Sequence, residues 1–110
     1  MINLLLVEDN AKLRSALQSG LEATGEVQIT FACGRGEQAI DYCISRQPPD
    51  VILMDVHLEG EINGIKTAVE IRREYPRHPV VFYSIQDDDA FYRDFRQSGI
   101  LSHYAYVRKS

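Results

Sequence analysis

No apolar run in the sequence approaches the roughly 18 residues of a membrane-spanning helix, so no membrane association is expected. The start, "MINLLLVEDN", lacks the basic opening of a secretory signal and meets acid at Glu8, which points to a cytoplasmic protein. Cysteine is scarce. Cys33 and Cys43 make neither a disulfide framework nor a metal-ligand spacing, and both are expected to be reduced thiols packed as small apolar groups. Basic charge is also short: 12 Lys and Arg face 16 Asp and Glu, a formal net charge of −4. That argues against direct nucleic-acid binding, which needs a basic stripe. No internal repeat, low-complexity tract or linker interrupts the chain.

What is present is alternation within 110 residues, the size of one compact domain spanning residues 1–110. Apolar residues make up 45% and charged residues 25%, a globular balance. "INLLLV" (2–7) is a continuous apolar run of strand length. Leu13, Ala16, Leu17, Gly20, Leu21 and Thr24 follow at helical spacing, with Asn10 as N-cap and Gly25 as the stop. "VQITFA" (27–32) reads as a strand, and Ala39, Ile40, Cys43 and Ile44 as a helical face that ends at "QPPD" (47–50). "VILMD" (51–55), a helix through Ile65, Ala68, Val69, Ile71 and Tyr75, and "VVFYS" (80–84) come next. A helix over 87–98 and a strand "HYAYV" (103–107) complete the order. Strands that are apolar throughout imply a sheet covered on both faces. Right-handed crossovers then give a doubly wound α/β fold with five parallel strands. Its working site lies at the carboxyl ends of the strands.

Those ends carry Glu8 and Asp9 after the first strand, Asp55 after the third, Ser84 after the fourth and Lys109 after the fifth. Three crowded carboxylates repel, and one of them tends to hold a proton unless a cation intervenes. Mg²⁺ suits such oxygen ligands. Lys109 offers a point charge for a phosphate oxygen and Ser84 a hydroxyl donor. Metal, ammonium and hydroxyl around one carboxylate form a layout for phosphoryl transfer, with Asp55 as the nucleophile that becomes an acyl phosphate.

"LLLVEDN", "DVILMDVHLEGEINGI", "PVVFYS" and "YVRK", in that order and at those strand ends, resemble the receiver domain of bacterial two-component response regulators. The resemblance runs from Met1 to Lys109. It implies a flavodoxin-like sheet of strand order 2-1-3-4-5. It also implies Asp55 as phosphoacceptor, charged by a histidine kinase or phosphotransfer protein. Asp9 and Asp55 would touch Mg²⁺ directly, with the backbone carbonyl of His57 as third protein ligand and Glu8 acting through water. Ser84 matches the switch hydroxyl. Tyr106, three places before Lys109, matches the switch aromatic, with Tyr104 as the alternative.

The sequence departs from the family pattern in places. Leu58 and Glu59 replace the usual Met-Pro, and Ile85 stands where a small residue is usual. Ser110 follows Lys109 in place of proline, and a fifth helix is missing or displaced. If the chain ends at Ser110, the sheet face shared by the first helix and the absent fifth one predicts a homodimer or higher oligomer. At roughly 25 cal/mol per Å², a few hundred exposed apolar Å² would cost several kcal/mol. Two other functions compete. A haloacid-dehalogenase-like phosphatase needs a second Asp two places after the nucleophile, and His57 stands there. A pseudo-receiver, binding partners without phosphorylation, usually loses part of the acidic set or the lysine, and this sequence keeps both. The expected role is therefore a phosphoaccepting signalling domain and not an enzyme.

Overall fold

A computed structural model describes residues 1–58, 60–84, 89–100 and 102–108, without the side chains of 89–92, 94 and 108. The elements run β1 (Ile2–Val7), α1 (Ala11–Ala23), β2 (Val27–Cys33), α2 (Gly36–Ser45) and β3 (Val51–Asp55). They continue with α3 (Gly64–Glu74), β4 (Val80–Ser84), α4 (Asp89–Ser98) and β5 (Tyr104–Arg108). All neighbouring strands pair in parallel, in the order β2-β1-β3-β4-β5. The expected sheet is thus present. β1 is its central switch point, with one neighbour leading to β2 and the other to β3.

The pleat divides the side chains between two layers. Leu5, Val7, Ile52, Met54, Val80 and Phe82 join Ala39, Cys43, Ile65, Ala68 and Ile71 of α2 and α3 in one buried core. Cys33 and Cys43 lie in it as free thiols, and burial pushes each up to about 11, far from a reactive thiolate. Edge-to-face contact between Phe82 and Phe95, with centroids 5.9 Å apart, ties α4 to the same layer.

The opposite layer is thin. α1 buries none of its residues fully. Leu13, Leu17 and Leu21 are half-buried, whereas Ala16, Gly20 and Thr24 of the expected apolar face are exposed. The helix lies mainly over β2 and β1, and it is the flank turned to those strands that is covered. Ile44 is a further departure. The helical spacing grouped it with Cys43, yet it is 58% exposed, because α2 turns Ala39 and Cys43 to the core. Among the described residues no helix follows β5.

The termini of the elements follow local chemistry. Asn10 caps α1 by accepting from the Leu13 N–H at 3.0 Å, and Asn63 caps α3 by accepting from the Lys66 N–H at 2.9 Å. α4 was expected from Asp87, and residues 87 and 88 lie outside the described residues. The strand expected over 103–107 sits one residue later: His103 takes φ 58°, outside the extended region, and only its carbonyl joins β4, accepting from the Val80 N–H.

Candidate functional site

Register assembles the site. β1 pairs with β3 so that Leu6 stands beside Leu53, and β3 pairs with β4 so that Asp55 stands beside Tyr83. Side chains two apart share a face. Glu8, Asp55 and Tyr83 therefore stand in a row across three strands at the carboxyl edge of the sheet.

Glu8, Asp9 and Asp55 converge as expected: each offers a carboxylate oxygen, and these atoms all lie within 4.8 Å of one another. Glu8 is 2% and Asp55 8% exposed, so the charges stand in a poorly hydrated corner. Burial, and then the charges of Glu8 and Asp9, push Asp55 up to about 7 despite the N–H of His57, which donates to its Oδ1 at 3.0 Å. Burial works on Glu8 in the same direction, but hydrogen bonds outweigh it and hold Glu8 below its ordinary value. The Tyr83 hydroxyl donates to Glu8 Oε1 at 2.6 Å, and the Asn10 N–H donates to Oε2 at 3.1 Å. Of the two buried carboxyls, burial thus raises Asp55, whereas its donors lower Glu8.

Ser84 ends β4 and is 1% exposed, in the strand adjacent to that of Asp55. The His57 imidazole is exposed, so this residue meets Asp55 through its backbone. Tyr106 is half-buried against the α3–α4 core and pairs in register with Phe82. Tyr104 is 45% exposed and its ring rests on Phe95, with centroids 4.7 Å apart. Lys109 lies outside the described residues.

Three participants escaped the sequence reading. Tyr83 is 3% exposed, and burial and then Glu8 push its hydroxyl up, which keeps it a donor. A tyrosine inside an otherwise apolar strand is a usable signal, because a buried phenol seeks a partner. Arg14 donates from Nη1 to the Glu8 carbonyl at 2.6 Å and anchors the backbone that presents the acidic pair. Gly64 opens α3 directly behind Asp55. Its N–H donates to the Val56 carbonyl at 3.0 Å, and a Cβ there would collide with the Asp55 carbonyl oxygen.

The arrangement suits a hard divalent cation. The converging donors are all carboxylate oxygens, and two of the three carboxyls are buried, where a cation would offset their charge.

The class defined by this sheet and strand-end site is the doubly wound α/β domain with an acidic cluster at its strand ends. Residues 4–107 match the response regulator receiver domain, and the chain belongs to that family. Among curated proteins it is 36% identical over 90 residues to a protein-glutamate methylesterase/protein-glutamine glutaminase of Nitrosospira multiformis, covering 82% of this chain and 24% of that protein. It is 32% identical to the transcriptional regulatory protein LiaR of Bacillus subtilis, over 100% of this chain and 51% of LiaR. The chain therefore spans about half of LiaR and about a quarter of the methylesterase. Among solved structures, the response regulator domain of Thermotoga maritima CheB superposes with a TM-score of 0.77 at 23% identity. That likeness covers 100% of this chain and 78% of that one, and shows the shared fold.

Proposed function

We propose that the chain is a cytoplasmic phosphoaccepting receiver in which Asp55 takes a phosphoryl group from the phosphohistidine of a histidine kinase or phosphotransfer protein. The convergence of Glu8, Asp9 and Asp55 at adjoining strand ends, in a chain of this family, carries the reading. In the step itself, one Asp55 carboxylate oxygen forms a bond to phosphorus as the phosphorus–nitrogen bond of the donor breaks. The imidazole leaves with that electron pair and is neutralised by a proton, and an acyl phosphate remains on Asp55.

The residues divide the labour. Asp9, Asp55 and the His57 carbonyl would hold Mg²⁺, with Glu8 acting through water, and the bound ion would supply positive charge toward the phosphoryl oxygens. Its charge would also draw Asp55 into the ionised, nucleophilic form that burial opposes. The His57 N–H steadies the carboxylate. Lys109 would pair with Asp55 before transfer and with phosphoryl oxygens after it. Ser84 would reach the new phosphoryl group from the end of β4, and Tyr106 would change its packing on the α4–β5 face in response, the face a partner would read.

Acetyl phosphate with Mg²⁺ tests the reading. The wild-type chain should acquire a slow band on a phosphate-affinity gel, and Asp55→Asn should not. A folded wild type that stays unphosphorylated would instead be a phosphorylation-independent interaction module. Lys109→Ala should still be phosphorylated but should respond less to it, seen as smaller phosphorylation-induced amide shifts in α4 and β5.

A further inference from the structure

The pocket contains a clamp that the receiver chemistry outlined above does not use. Glu8 Oε1 accepts from the Tyr83 hydroxyl at 2.6 Å, and Oε2 accepts from the Asn10 N–H at 3.1 Å. The other acceptor in reach of the phenol, the Val7 carbonyl, is 3.4 Å away, so the shorter bond runs to Glu8. Both ends of the clamp are buried: Glu8 and Tyr83 are 2% and 3% exposed, and Arg14 donates to the Glu8 backbone carbonyl at 2.6 Å.

We propose that Tyr83 is a positioning residue that sets the cation preference of the pocket by engaging Glu8 and holding it back from direct ligation. The inference rests on the divalent-cation reading of the site. The two donors orient the Glu8 carboxylate, and turning Oε1 fully onto a metal would give up its 2.6 Å bond to Tyr83. Direct ligation is then left to Asp9, Asp55 and the His57 carbonyl. Few protein ligands and several retained waters favour Mg²⁺, which dehydrates reluctantly. Ca²⁺ takes six to eight oxygens and gains most from an additional carboxylate. Removing the phenol oxygen takes away the 2.6 Å bond that orients Glu8 Oε1, which would favour the larger ion.

The test is a pair of NMR titrations, with MgCl2 and with CaCl2, that follow the amides of residues 8–10 and 55–58. They are run on the wild type, Tyr83→Phe, and Tyr83→Phe combined with Glu8→Gln. Tyr83→Phe should shift the ratio of Ca²⁺ to Mg²⁺ affinity toward Ca²⁺ by about tenfold, the lower end of what partners of metal ligands control. The double variant should lose that shift, since the freed carboxylate is gone. A merely structural Tyr83 would weaken both ions alike. A ratio within about twofold of wild type on that same scale, or a shift that survives Glu8→Gln, overturns the proposal. Where the Phe variant's amide spectrum shows an impaired fold, Tyr83→Leu repeats the comparison. A wild type that binds neither ion overturns the cation reading itself and this inference with it, whereas binding at an unchanged ratio overturns only the inference.

Discussion

At the scale of single residues, Asp55 is held in tension. Its folded value of about 7 stands above the roughly 4 of an exposed aspartate in an unfolded chain. Between those values the folded state binds the extra proton, so stability is highest at the acid end and falls as pH rises toward neutrality. Asparagine keeps the shape and cannot ionise. In metal-free buffer, Asp55→Asn should therefore melt close to wild type near pH 4. It should melt higher by on the order of 5 °C at pH 7.5, given that ~1 kcal/mol moves a domain of this size by several degrees. Thermal melts across that range check it, and a difference that does not change with pH would show that Asp55 titrates normally. Added Mg²⁺ should narrow the gap, because an ion bound to the native wild type stabilises it by mass action.

At the scale of elements, the site depends on how closely α3 starts behind β3. Asn63 caps that helix, and Gly64 admits the Asp55 carbonyl to a place where any side chain would intrude. Backbone cannot yield as a side-chain tip can. Gly64→Ala should cost about 1–3 kcal/mol, the usual scale of overpacking. It should also displace the amides of residues 55–57, as read by urea unfolding and by the amide spectrum. Unchanged stability would mean that the β3–α3 connection has slack. Asn10→Ala offers a contrast. It removes the cap of α1, worth about 1 kcal/mol. It spares the bond to Glu8, which comes from the backbone N–H of residue 10. Stability should fall while Mg²⁺ affinity stays near wild type.

Over the whole molecule, the two layers are unequal. On the side opposite the main core, Leu53 and Val81 are half-buried, Ala105 is exposed and Val107 is 51% exposed, with the flank of α1 beside them. Apolar area of this kind normally acquires a cover. The 110-residue chain is expected to sediment as a dimer or higher oligomer, with Val107→Lys shifting it toward monomer. A monomer at high concentration would show that the face tolerates water.

Much of this was legible in order along the chain. Uninterrupted apolar runs marked strands buried on both faces, helical spacings marked the crossovers, and strand ends located Glu8, Asp9, Asp55 and Ser84 before any contact was known. These are local signals: period, capping and punctuation act over a few residues, and the parallel topology then brings all strand ends to one edge. Two apolar assignments were less successful. Ala16 and Ile44 satisfy helical spacing, yet whether a flank is covered depends on which layer lies over it, a property of neighbours and not of the helix. The clamp was beyond reach for a similar reason. Tyr83 and Glu8 are 75 residues apart, and only the registers of β1 on β3 and β3 on β4 align them on one face. Gly64 against Asp55 is likewise a matter of ångströms between two elements. The sequence by itself determined the kind of sheet and the chemistry at its edge, because those follow from short-range pattern. Tertiary structure alone decided which carboxyl is raised by burial and which is lowered by its donors. Burial and donor geometry exist only once distant strands are packed side by side.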